Sequence, residues 1–239
     1  MWSPRKMQEK TMCSSGKQET GMDSGRCAVL GRIFLEAVLS GLFIGMAGTV
    51  YLSVQPAALG AFLFAFGLMT ILCRGFKLYT GAIGYLVVQP RENLLRYLGE
   101  LLVIWSGNLT GCFLVGTLLR HSRVYPALAS RLQPLCQAKL TDAGTSLLIL
   151  SFFCGILMYL AVDTYRRQEI AVPFRLATVF LCVVVFILSG FEHCVANMFY
   201  FSAGGVWSAQ ALGKILLMTL GNSLGGFLLP LADRFRMRP

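Results

Sequence analysis

Two long apolar stretches of this chain are interrupted by residues that can carry chemistry. One, near residues 173 to 203, contains Ser189-Gly190-Phe191-Glu192-His193; the other, near 57 to 88, contains Arg74-Gly75-Phe76-Lys77. An imidazole donates or accepts a hydrogen bond and exchanges a proton near neutral pH, so His193 is the first candidate. It is one of two histidines, the other being His121 in a connecting segment. Glu192, Lys77 and Arg74 are ionisable, and an ionised side chain at the centre of a bilayer costs about 2.5–3.5 kcal/mol on insertion scales. Charges kept there against that cost are functional candidates. A buried histidine is often only a packing residue; what counts against this for His193 is its place at a break in an apolar run.

The elements that must position these residues are membrane helices. The 239 residues are 56% hydrophobic and 13% charged, more apolar surface than a soluble domain of this length could bury. Six stretches reach the roughly 20 apolar residues that a spanning helix needs: near 34 to 54, 57 to 88, 98 to 119, 144 to 163, 173 to 203 and 206 to 231. The fold class predicted is an all-α integral membrane protein. The second and fifth stretches exceed one span, and their polar interiors predict broken helices. Irregular backbone at membrane depth persists only where protein or a water-filled cavity satisfies it, so both breaks should face the centre of the bundle. Residues 1–28 are polar and basic with no apolar core of a signal peptide, and read as a disordered cytoplasmic tail; 29–234 form the six-helix domain and 235–239 a second tail.

Cations set the orientation. Arg5, Lys6, Lys10, Lys17, Arg26 and Arg32 precede the first span, and Arg91, Arg96, Arg166, Arg167, Arg175, Arg234, Arg236 and Arg238 occupy the other segments on that side. The opposite side has only Arg120, Arg123, Arg131 and Lys139, in one loop. Both termini are therefore expected in the cytoplasm, and the net charge of +10 is explained by lipid-facing loops without a nucleic-acid partner. Of eight cysteines, Cys73, Cys112, Cys154, Cys182 and Cys194 lie in apolar runs without a C-x-x-C spacing. They read as buried small hydrophobes, so neither a disulfide framework nor a metal or other cofactor is expected.

The two halves of the chain repeat. Gly75-Phe76-Lys77-Leu78 is matched 115 positions later by Gly190-Phe191-Glu192-His193, and Gly107-Asn108-Leu109-Thr110-Gly111 is matched 114 positions later by Gly221-Asn222-Ser223-Leu224-Gly225. With three spans in each half, the second copy must insert upside down, and matched breaks in inverted halves are the usual sign of a transport site near the midplane. Lys77 and Glu192, of opposite charge at equivalent places, are expected to form a buried pair.

The run Ser189-Gly190-Phe191-Glu192-His193-Cys194-Val195-Ala196-Asn197-Met198 resembles the fifth-helix signature of the formate/nitrite transporter family. Gly75-Phe76-Lys77-Leu78-Tyr79-Thr80-Gly81 resembles that family's second-helix loop, and Gly107-Asn108 and Gly221-Asn222 its third- and sixth-helix motifs; the resemblance spans about residues 34 to 231. It implies a homopentamer with one aquaporin-like pore per subunit, pinched by apolar constrictions around the histidine. By motif, the constrictions would be Phe64, Leu68, Leu78 and Phe186, the polar groups beside His193 would be Thr80 and Asn222, and Lys139 would be the vestibule lysine before the fourth helix. Without the resemblance, those four apolar residues would read as ordinary core or lipid-facing positions. The chain departs from the family in having Lys77 where an acidic residue is common and Cys154-Gly155 where Cys-Asn is frequent. The basic Tyr-Thr-Gly form of the loop is closer to the hydrosulfide-conducting branch.

The implied function is that of a passive channel or proton-coupled transporter, not an enzyme, passing the anion of a small weak acid (formate, nitrite or hydrosulfide) across an inner membrane. A rhomboid-like intramembrane protease is the rival class, but no Gly-x-Ser-Gly occurs in any span. An aquaporin-like neutral-solute pore is the second rival, and Asn-Pro-Ala is absent.

Overall fold

The computed structural model describes the backbone of residues 5–236 and the side chains of residues 26–236. The predicted tail over 1–28 and the one over 235–239 lie mostly outside the residues whose side chains are described. The elements in order are α1 (Arg5–Ser53), α2 (Ala57–Arg74), α3 (Tyr79–Ala82) running into a 3₁₀ stretch (Ile83–Val88), α4 (Leu94–Arg120), α5 (Tyr125–Thr141), α6 (Gly144–Arg166), α7 (Val172–Leu188), α8 (Cys194–Gly204) and α9 (Ala209–Arg236). No strand occurs among the described residues. Five helices are long and apolar enough to cross a membrane: α1 over Arg26–Ser53, α2, α4 with its preceding turn, α6 and α9; the apolar α7 is shorter, at 17 residues. Exposed Phe62, Leu102, Leu118, Phe174 and Leu181 coat the outside of the bundle, as helices solvated by lipid require.

Both expected breaks occur, and they are built alike. Gly75 and Gly190 each adopt φ 69°, the left-handed conformation that glycine takes without steric cost. The amide of Gly75 donates to the Leu72 carbonyl (3.2 Å) and that of Phe76 to Ile71 (2.9 Å); Gly190 donates to Ile187 (3.2 Å) and Phe191 to Phe186 (2.9 Å). These double caps end α2 and α7 and satisfy carbonyls that would otherwise be orphaned in apolar surroundings. The chain then runs extended through Leu78 and His193 before α3 and α8 begin.

One asparagine holds each extended segment. Asn108 accepts from the Tyr79 amide (2.9 Å) and donates to the carbonyls of Ala37 (2.8 Å) and Lys77 (2.9 Å). Asn222 accepts from the Cys194 amide (2.8 Å) and donates to the carbonyls of Ser151 (2.8 Å) and Glu192 (2.8 Å). The partners match at offsets of 114 or 115, so the repeat seen in the sequence is also a repeat of hydrogen bonds. A short amide side chain reaches a neighbouring helix's carbonyl only if the two helices nearly touch. The glycines bracketing each asparagine allow this: a Cβ at Gly111 would strike the Val38 carbonyl, and one at Gly225 the Phe152 carbonyl.

Two features depart from the sequence reading. The segment between the third and fourth apolar stretches was read as a loop, yet α5 is a helix whose Leu128, Leu132 and Cys136 are buried at four-residue spacing. Cys73, expected to be buried, is exposed and accepts a hydrogen bond from the Tyr165 hydroxyl (3.4 Å). It lies one residue before the end of α2, on a helix face that turns outward.

Replacing Asn108 or Asn222 by leucine leaves the Tyr79 or Cys194 amide and the Lys77 or Glu192 carbonyl without this partner, and each orphaned group costs about 1–3 kcal/mol. Each single substitution should lower the melting temperature of the purified protein in detergent by several degrees, and an unchanged melting temperature would show that the clamps are dispensable.

Candidate functional site

His193 sits at the break before α8, 2% exposed. Its Nδ1 accepts the Ala196 amide (3.1 Å), capping α8. An Nδ1 that accepts carries no hydrogen, so in this arrangement the ring hydrogen is on Nε2. Nε2 stands 2.8 Å from the hydroxyl of Thr80, which is fully buried on α3. The hydrogen on Nε2 makes the threonine oxygen the acceptor. The threonine's own hydroxyl hydrogen is then left to donate elsewhere. The structure thus joins the two broken elements through one side-chain pair, as the sequence places Thr80 and His193 together. Beside them, the Phe186 ring lies 5.8 Å from the imidazole and 5.8 Å, edge-on, from Phe64. Leu68 and Leu78 belong to the same buried core.

A cavity of about 530 Å³ opens on one side of this cluster, lined by His193, Glu192, Phe186, Asn197 and Tyr200 together with Lys139 of α5 and Tyr51 of α1. Across it, Lys139 Nζ is 2.6 Å from Glu192 Oε2, both side chains being largely enclosed. Asn197 Nδ2 donates to the same carboxylate oxygen (2.7 Å) and to the His193 carbonyl (3.1 Å). Lys139 also lies over the Tyr200 ring at 5.8 Å. The Asn197 side-chain oxygen Oδ1 is buried with no hydrogen-bond partner among the described residues.

The expected Lys77–Glu192 pair is not formed: Glu192 pairs with Lys139 instead. Residues at matching positions of two repeated units meet only where the copies abut. Trp105 and Thr219, 114 positions apart, do so, with the indole N–H donating to the hydroxyl at 3.1 Å. Lys77 and Glu192 do not, and half-buried Lys77 contributes its backbone carbonyl to the Asn108 clamp. Asn222, expected beside His193, is next to it in the fold, but all three of its hydrogen bonds go to backbone.

Asn108, Asn197, Tyr200 and Tyr51 were not singled out as site residues. Two had a readable signal. Asn108 is the repeat mate of Asn222, and Asn197 follows His193 by four, one helical turn on the same face. Tyr51 and Tyr200 had none, since their contribution depends on where α1 and α8 pack.

Comparison with known proteins shows the family and the fold of this chain. The formate/nitrite transporter family profile matches residues 10–232. The nitrite transporter NirC of Salmonella typhimurium is 30% identical over 187 residues, covering 73% of this chain and 68% of its own length. The formate channel FocA of Haemophilus influenzae is 24% identical over 236 residues, covering 81% of this chain and 82% of its own. Among solved structures, a pentameric formate channel with formate bound superposes with a TM-score of 0.76 at 22% identity, over 88% of this chain and 98% of that one. The profile covers nearly the whole chain and the nitrite transporter is 30% identical over 73% of it, so this chain belongs to the formate/nitrite transporter family.

Proposed function

We propose that the chain carries the anion of a small weak acid (formate, nitrite or hydrosulfide) across an inner membrane, through a pore of its own that passes between Thr80 and His193. The observation that supports this best is the Thr80–His193 hydrogen bond, the one polar side-chain link between the two broken elements. In this reading α1, α2 with α3, and α4 form one triplet of spans, and α6, α7 with α8, and α9 form a second, inverted triplet. Both termini are cytoplasmic, residues 29–234 are the channel domain, and five subunits assemble, as in the pentameric formate channel that shares the fold.

A bare ion entering a low-dielectric constriction meets an idealised cost of order 20 kcal/mol, which a protein must lower. The mechanism uses this chain's own donors. Lys139, with Glu192 2.6 Å away, offers the vestibule a donor with little net charge, so an anion is admitted there without being held. Beyond it, Phe186, Phe64, Leu68 and Leu78 exclude water. In that dry stretch the Thr80 hydroxyl hydrogen is the donor that faces the anion. His193 Nε2–H supports the hydroxyl from behind; a ring that first takes a proton from water at Nδ1, giving up the Ala196 amide, can pass its Nε2 proton through the Thr80 hydroxyl to a weak acid's anion and return to the neutral form. Asn222 positions the histidine, and Lys77 gives the opposite break a positive charge that draws an anion through.

Proteoliposome uptake tests this reading. Thr80→Val should lower uptake of all three anions by at least about tenfold, because the site loses its outward donor, whereas Thr80→Ser should retain it. His193→Phe should abolish uptake while still folding, since the lost cap costs only about 1 kcal/mol; wild-type rates in this variant would make the histidine a packing residue. His193→Asn keeps a capping group and a polar contact but exchanges no proton, so it should conduct with an altered pH dependence. For the wild type, uptake should rise as external pH falls, because the neutralised form becomes more abundant.

The vestibule pair gives a second test. Lys139→Gln or Glu192→Gln leaves one enclosed charge unpaired, at a cost of up to about 3–5 kcal/mol, and the double variant should be more stable than the sum of the single losses implies. Strictly additive losses in detergent unfolding would show that the two groups are not coupled.

A further inference from the structure

Where α6 ends and α7 begins, a cavity of about 360 Å³ is lined by Tyr165, Arg166, Gln168, Val172, Arg175 and Leu176. It is separate from the vestibule and shares no lining residue with it. Arg175 donates through one Nη to the Tyr165 carbonyl (3.1 Å), closing the end of α6. Its Nε is buried with no acceptor among the described residues. The Arg166 guanidinium lies 4.8 Å over the Tyr85 ring. Among the described residues neither arginine has a carboxylate in ion-pair range. The nearby acids are already taken, for Arg167 holds Asp163 at 2.7 Å and Asp233 at 3.2 Å.

Two guanidiniums without counter-charges and a buried donor without an acceptor call for an anion with several oxygens, and arginine binds phosphate through paired N–H donors. The surroundings narrow the source. Val172 (53% exposed) and Leu176 (36%), four residues apart on one face of α7, carry the cavity's lining onto the outside of the helix. At the end of a membrane span such residues face acyl chains, so the same site offers cations at headgroup depth and an apolar track beneath them. A zwitterionic headgroup would bring its own cation towards two arginines; a net negative one would not.

We propose that this cavity binds the headgroup of an anionic phospholipid, with its phosphate between Arg166 and Arg175 and an acyl chain along Val172 and Leu176. The proposal requires the chain to lie in a bilayer but does not depend on which anion it transports. Native mass spectrometry of the purified protein in detergent tests it, with phosphatidylglycerol and phosphatidylcholine of identical chains and, separately, inorganic phosphate. The wild type should retain phosphatidylglycerol about tenfold more than phosphatidylcholine, the scale expected from one to two cations at a membrane surface. Arg166→Gln should remove most of that preference, and Arg166→Gln/Arg175→Gln all of it. Arg166→Gln leaves the Arg175 cap of α6 in place, so it reports on lipid retention even if the double variant does not fold. Equal retention of both lipids by the wild type, or an undiminished preference in Arg166→Gln, would overturn the proposal. So would inorganic phosphate alone occupying the site and excluding the lipid, which would assign it to the free ion.

Discussion

Everything in this fold depends on one constraint: a backbone N–H or C=O without a partner at membrane depth costs several kcal/mol, and a functional site needs the helical ladder to be broken there. The chain resolves the conflict twice in the same way. A left-handed glycine closes each helix, and one asparagine then takes up an amide and a carbonyl at the break that follows and ties them to a carbonyl of a neighbouring helix. With the backbone satisfied by Asn108 and Asn222, the side chains at the breaks are released for other work. The Gly-Asn-x-x-Gly spacing on α4 and α9 is therefore one device, in which the glycines set the distance and the asparagine spans it.

On this repeated scaffold the chemistry is not repeated. Leu78 occupies the place that His193 has in the other half, Ala82 that of Asn197, and Lys77 that of Glu192. One half supplies the imidazole and the carboxylate, and the other contributes the threonine that meets the imidazole. The vestibule shows the same economy. Lys139 is not an isolated charge: Glu192, Asn197 and the Tyr200 ring surround it. A strongly positive trap would bind an anion well and release it slowly, whereas a nearly neutral donor set lowers the entry barrier without creating a deep well.

Much of this was legible in the sequence because the relevant signals are local. Apolar runs gave the helices, Gly75 and Gly190 marked the breaks, and the two Gly-Asn motifs marked the repeat, though not the clamps they form. What escaped depended on three-dimensional placement. The partner of Glu192 could not be found from repeat symmetry, because equivalence places residues in matching environments without bringing them together. The true partner rides on α5, whose buried stripe of Leu128, Leu132 and Cys136 is sparse and interrupted by Pro134, and so reads as a loop. Asn197 was visible but gave no hint of its contacts, since its bonds to the Glu192 carboxylate and the His193 carbonyl depend on how the chain turns from the break into α8.

The central claim is that the path for the anion runs between the two clamped breaks, past the Thr80 hydroxyl. An electron cryo-microscopy structure of the protein in lipid nanodiscs, collected with and without saturating nitrite, addresses it directly. The account predicts added density within hydrogen-bonding distance of the Thr80 hydroxyl, bounded by Phe64 and Phe186, in each subunit. Ligand density confined to a route outside the subunit, with the Thr80–His193 contact unchanged and closed to it, would contradict the account.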